Sequence, residues 1–280
     1  MKQEKKFILA IIGLGNMGGA LLTGIVNSDL IKKEKIAIFD IAPEKSKKYE
    51  NDFKVKAFDD IAEMIKSSKY IILAVKPQNI HDVMPLLKEY CDTENNVIIS
   101  IGAGIPATYF ESNIGNMPVL RIMPNTPAIY GKGLSAVSGG KFAGRDHIDF
   151  AEALMNSIGS VILLDEKFQN LATVLSGSGP AYFFLFCKFL ISFAMKNGLD
   201  SKTAKEMVIK TMIGAGEVLS KTNKTIDELI KSVASPGGTT ERALSKFEAN
   251  NLEEIFIEAL DAALKRSLEM ESVISINKTI

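Results

Sequence analysis

Short apolar runs punctuate the first 165 residues, and longer stretches of mixed polarity separate them. Residues 7–12 and 70–75 are continuously apolar, and 97–101 and 119–123 repeat the pattern. Runs of this length without alternation suit strands buried on both faces of a parallel sheet. Residues 35–39, 55–58, 134–137 and 161–164 complete the set of expected strands. Helical character is expected over 19–26, 61–65 and 148–158. After Asp165 the period changes: no strand is expected, and helices are predicted at 176–197, 201–220, 225–234, 240–248 and 252–269. The stretch after Glu271 has no clear pattern. The expected class is α/β, with one domain at residues 1–165, a short ordered crossing, and an all-helical domain at 166–280. No internal repeat or low-complexity linker interrupts them.

Glycine and proline add chemistry to this pattern. The first strand runs into Gly13-Leu14-Gly15-Asn16-Met17-Gly18, and a helix follows. In that setting Gly13 permits the tight turn, Gly15 lets a pyrophosphate approach the backbone, and Gly18 allows helix and strand to pack closely. The first domain is therefore expected to be a Rossmann-like dinucleotide-binding domain. Asp40 ends the second strand, where an acid holds the adenosine ribose hydroxyls in such folds; an Asp forming a turn before Pro43 is the competing reading. The next strands end in Lys76-Pro77, Gly102-Ala103-Gly104 and Pro124-Asn125-Thr126-Pro127, at the edge where ligands bind in open α/β sheets. Far downstream, Ser235-Pro236-Gly237-Gly238-Thr239-Thr240 separates two helical segments. Two glycines let the backbone fold tightly, and the helix that follows offers N–H groups and a dipole to an anion. That stretch reads as a pocket for a small carboxylate, or more plainly as a helix corner capped by Thr.

Composition narrows the field. Formal net charge is zero, so no general attraction to nucleic acid or acidic membrane is expected. Two cysteines, Cys91 and Cys187, are too few for a disulfide framework and fit a reducing cytoplasm. No signal peptide is read at the amino end. Residues 181–195 are the most apolar window, with Lys188 in the middle; they are too short for a membrane span and read as a buried helix. His81 and His147 belong to no metal-ligand or Ser-His-Asp pattern and read as surface residues. No carboxylate pair is placed for sugar hydrolysis. A dinucleotide site, a small-anion pocket and hydroxyls remain, which suits hydride transfer by a bound cofactor.

From Ile11 to about Arg266 the chain resembles the pyrroline-5-carboxylate reductase family. The resemblance rests on residues 13–18, Ala74-Val75-Lys76-Pro77, 121–127, 176–180, and 235–240 followed by Ala243-Leu244. It implies a Rossmann-like domain followed by a helical dimerisation domain, and a homodimer of interlocking helices, often assembled into larger rings. By the same resemblance Gly13, Leu14, Gly15, Asn16, Met17 and Gly18 hold the pyrophosphate. Val75, Lys76 and Pro77 line the cofactor, and Ala103 lies near the nicotinamide. Ser235, Gly238 and Thr239 hold the substrate carboxylate, Thr240 bonds the ring nitrogen, and Glu166 borders the substrate. The implied substrate is a cyclic imino acid. Protonated, its ring carbon takes a hydride directly from NADH or NADPH without a strong protein acid. Asp40 departs from the small or hydroxyl residue that tolerates a 2′-phosphate in many members, and tilts the expectation toward NADH. A β-hydroxyacid dehydrogenase of similar layout and a non-enzymatic dinucleotide sensor are the alternatives; the first needs a Lys on the interdomain helix, where Lys188 stands, and the second does not need the 235–240 pocket.

Overall fold

The apolar runs become the inner strands of one sheet. The computed structural model describes residues 5–276. β1 (Phe7–Ile12) leads into α1 (Asn16–Asn27), then β2 (Ile36–Phe39), α2 (Pro43–Phe53), β3 (Lys56–Ala57), α3 (Ile61–Ser67) and β4 (Ser68–Leu73). α4 (Ile80–Tyr90), β5 (Val97–Ser100), α5 (Ala107–Ile114), β6 (Val119–Met123), β7 (Gly133–Gly139), α6 (Arg145–Asn156) and β8 (Gly159–Leu163) follow. The sheet order is β3-β2-β1-β4-β5-β6-β7-β8. β1 pairs in parallel with both β2 and β4, so the strand order reverses beside β1, and the crevice at that point is where such sheets bind ligands.

One junction breaks the parallel pattern. Residues 124–132 are too few for a crossover, which takes a dozen residues or more, so β7 returns antiparallel to β6. The longer link through α6 restores parallel pairing between β7 and β8. Core residues fall into two groups. Leu9, Ile11, Leu21, Ile25, Ile72 and Ile99 belong to one; Ala10, Ile12, Ile71, Ile98, Phe110 and Val119 belong to the other. Successive strand residues thus alternate between the two groups, as the pleat requires.

Beyond β8 the chain is helical: α7 (Gln169–Ala172), α8 (Gly179–Lys196), α9 (Ser201–Lys221), α10 (Ile226–Val233), α11 (Thr239–Glu248) and α12 (Leu252–Ile276). α12 continues past the expected end at 269 to Ile276; the rest of the patternless stretch after Glu271 lies outside the described residues. The Ser176–Pro180 stretch starts the long helix as expected, but at Gly179 rather than Ser176. It lies where a π-helical turn, Thr173–Gly177, joins α7 to α8, and the Ser178 N–H closes the wide ring on the Thr173 carbonyl at 2.8 Å. Pro180, without an N–H, falls in the first turn of α8, where no intrahelical donor is required.

Among the described residues the chain forms two compact units. One runs to Pro180 and resumes at Leu264; the other is Ala181–Ala263. This partition differs from the expected boundary at 165/166. The cause is local: Gln169, 1% exposed, donates from Nε2 to the carbonyls of Arg121 and Ala136 and to Ser138 Oγ, which fastens α7 to β6 and β7. In the second unit Phe183, Phe184, Phe189 and Phe193 of α8 are more than half exposed in the single chain. The helical run Glu166–Lys196 is long and apolar enough to cross a membrane by length and composition.

Candidate active site

Three glycines shape the loop after β1, each for its own reason. Gly13 has φ of +96°, and a Cβ there would stand 2.8 Å from the Ala74 carbonyl oxygen. A Cβ on Gly18 would run into the carbonyl of Gly13. Around Gly15 nothing lies within 4 Å of where a Cβ would be, so the backbone there is open to a ligand. Gly15 is the N-cap of α1; no side chain caps that end and no acid lies in the first turn. The first N–H groups of a helix have no intrahelical acceptor, and with Asn16 and Met17 in the first turn they suit a diphosphate. The loop fits the dinucleotide that its sequence implies.

Asp40 is built into this loop. Its Oδ2 accepts the Leu14 N–H at 2.6 Å and its Oδ1 accepts the Ala42 N–H at 2.9 Å, with Lys45 Nζ at 3.6 Å. Its own N–H donates to Ser46 Oγ at 3.0 Å. At 8% exposure the carboxylate is turned inward, and the second bond makes the turn before Pro43 that sequence held open as an alternative. Lys76 is exposed, Val75 is partly buried, and Pro77 opens a short 3-10 turn after β4. Ala103 lies on the turn after β5, where Gly104 has φ of +70°. The structure thus brings Gly13–Gly18, Val75–Pro77 and Ala103 to the carboxyl ends of three neighbouring strands, β1, β4 and β5.

Glu166 lies on the same unit and is already engaged. Its Oε1 accepts the Ala107 N–H at 2.7 Å and lies 3.4 Å from Arg121 Nη1. Arg121, 4% exposed in the middle of β6, also reaches Glu271 Oε2 at 3.1 Å and Asn170 Oδ1 at 3.2 Å. Sequence reasoning missed this network; its one signal was a lone Arg in an apolar strand. Asn125 was passed over too: it accepts the Leu134 N–H and donates to Ser176 Oγ in the π-helical turn.

The 235–240 stretch lies in the second unit. Gly237 has φ of +70°, and the Gly238 N–H closes the turn on the Ser235 carbonyl at 2.9 Å. Gly238, not Thr, is the N-cap of α11, so Thr239 and Thr240 occupy its first turn. A carboxylate already sits on this turn: Glu241 Oε2 accepts the Gly237 N–H at 2.6 Å. Thr239, Arg242 and Lys246 line a groove of ≈ 650 Å³ beside it, adding two cations that sequence reading had not singled out. His81 Nδ1 pairs with the Tyr109 hydroxyl at 3.1 Å, and His147 Nδ1 accepts the Gly144 N–H at the start of α6. Burial holds His147 below the ordinary histidine range. Both histidines have structural partners.

Comparison with known proteins agrees with this geometry. Residues 166–270 match the family described as "Pyrroline-5-carboxylate reductase dimerisation", and residues 8–104 match "NADP oxidoreductase coenzyme F420-dependent". The chain is 34% identical over 264 residues to a pyrroline-5-carboxylate reductase of Pseudomonas aeruginosa, covering 94% of this chain and 96% of that one. A solved pyrroline carboxylate reductase of Plasmodium falciparum with NADP bound superposes with a TM-score of 0.86 at 29% identity, covering 96% of this chain and 100% of that one. The pyrroline-5-carboxylate reductase of Coxiella burnetii gives 0.86 at 30% identity, covering 96% and 99%.

Proposed function

Since this chain belongs to the pyrroline-5-carboxylate reductase family, we infer that it reduces 1-pyrroline-5-carboxylate to L-proline as a homodimer. The observation that carries the reading is the loop Gly13–Gly18 at the reversal of strand order, open at Gly15 and closed at Gly13 and Gly18. When bound there, NADH or NADPH supplies the hydride. We propose that the α1 N-terminus and the Gly15 backbone hold the pyrophosphate, that Val75, Lys76 and Pro77 line the dinucleotide, and that Ala103 lies beside the nicotinamide.

For the imino acid we propose the turn before α11. Ser235, Gly238 and Thr239 take the carboxylate, and the first-turn N–H groups and helix dipole favour its charge. That Glu241 already places a carboxylate on Gly237 supports the assignment. Thr240 holds the ring nitrogen through its hydroxyl. A protonated imine already carries the proton on nitrogen and its carbon takes the hydride, so the residues have only to bind, orient and exclude water. Free Cys91 and Cys187 support a cytoplasmic setting; burial pushes the Cys91 thiol up to about 12, which keeps it unreactive.

The test is an absorbance assay at the reduced-nicotinamide band with protein, NADH or NADPH, and pyrroline-5-carboxylate. Loss of the band with proline formed is the expected result. No loss would leave a dinucleotide sensor. Turnover only with hydroxy acids and oxidised cofactor would make it a β-hydroxyacid dehydrogenase.

A further inference from the structure

Two carboxylates from distant parts of the chain meet on one nitrogen, Arg121 Nη1; the first also bonds the loop after β5, and the helix that carries the second packs against that loop. Glu166 is the first. Its Oε1 accepts the Ala107 N–H at 2.7 Å, at the point where the loop enters α5, and lies 3.4 Å from Arg121 Nη1. Glu271, near the end of α12, is the second. Its Oε2 lies 3.1 Å from the same nitrogen and accepts from Asn170 Nδ2 at 2.8 Å. Beneath the loop α12 comes close: a Cβ on Gly104 would stand 2.9 Å from Met270 Cβ and 3.2 Å from the Glu271 backbone nitrogen. Asn170 and Ser267, 6% and 5% exposed, close the network, with Ser267 Oγ donating to Asn170 Oδ1 at 2.9 Å. The loop is held at Gly104 and at Ala107, and Ala103 directly precedes the first of these points.

We propose that Glu271 is a positioning residue for the reaction: through Arg121 it holds the end of α12 under Gly104 and so fixes the loop that places Ala103. The proposal rests on the reading of Ala103 as a neighbour of the nicotinamide. A buried guanidinium that loses one of its carboxylates relaxes toward the other, and the loop then keeps its grip at Ala107 but loses its floor. The pyrophosphate hold at Gly13–Gly18 is not touched. Orientation should suffer and affinity should not, because small misplacements at a reacting centre cost rate before they cost binding.

The experiment compares the full-length protein with Glu271→Gln, Glu271→Asp and Gly104→Ala, measuring kcat for the imine, the Kd for NADH and the emission of bound NADH. For Glu271→Gln we expect kcat to fall by roughly tenfold, Kd to stay within about threefold, and the nicotinamide emission to move toward that of free NADH. Glu271→Asp, which keeps the charge, should recover part of both kcat and emission. Gly104→Ala should reproduce the Gln phenotype, because its φ of +70° and the nearby Met270 displace the loop directly. Unchanged kcat and emission in folded Glu271→Gln would overturn the proposal. So would a fall in melting temperature and NADH affinity with kcat preserved, which marks a scaffold only. If no variant folds, the network serves folding and the proposal falls. If the unmodified protein leaves the imine untouched, the activity reading fails, while NADH emission and Kd still report on the loop.

Discussion

Asp40 shows how one side chain serves two readings. Its oxygens are taken by the N–H groups of Leu14 and Ala42, so it ties the Gly-rich loop to the end of β2. Its charge remains. A 2′-phosphate bound within about 4 Å of that charge would be repelled by roughly 1–4 kcal/mol, and we expect NADH to be preferred with NADPH still usable. Asp40→Asn keeps an acceptor and removes the charge; the ratio of kcat/KM should shift toward NADPH. A native preference for NADPH, or an unmoved ratio, would reduce Asp40 to a loop tie. Thr240→Val tests the other ligand. A lost bond to a charged nitrogen is worth about 1.5–3 kcal/mol, so kcat/KM for the imine should fall roughly ten- to a hundred-fold while NADH affinity holds. Equal kcat/KM in the variant would remove Thr240 from the site. The residue types at both positions were legible in sequence. The direction in which Asp40 points was not, because it depends on which backbone N–H groups the loop turns toward it.

At the scale of elements, Gly15 and Gly18 separate structure from binding. Alanine at Gly18 drives a methyl into the Gly13 carbonyl, so both melting temperature and NADH affinity should fall; such overpacking costs about 1–3 kcal/mol. Alanine at Gly15 meets nothing and should leave the melting temperature alone while its methyl obstructs the pyrophosphate, lowering affinity by roughly tenfold or more. Parallel losses in both properties for both variants would contradict this. Strands were readable because runs such as 7–12 and 70–75 have no alternation to misplace. The π-helical turn was not, since Ser176–Pro180 carries helix-start residues, and the widened ring depends on one bond from Ser178 to Thr173. The Arg121 network was equally hidden: residues 121, 166, 170 and 271 share no local pattern and meet only in space.

For the molecule as a whole, α8 is the feature to test. Phe183, Phe184, Phe189 and Phe193 are left in solvent by the single chain, and the second copy in the homodimer is expected to cover them. Phe193→Lys should shift sedimentation from dimer toward monomer at micromolar concentration and lower the melting temperature in a concentration-dependent way. A monomeric unmodified protein that unfolds cooperatively would contradict this. The other whole-molecule feature is the return of residues 264–276 to the first unit, after 83 residues, Ala181–Ala263, have gone elsewhere. The sheet is complete by Leu163, yet the guanidinium of Arg121 waits for a carboxylate 150 residues downstream of it. At roughly 5–20 residues per second, the interval from Pro180 to Glu271 lasts about 5–18 s. During that time β6 holds a buried cation with one of its two carboxylates. Chaperone contact with the nascent chain is therefore expected to concentrate in that interval and to end when Glu271 emerges.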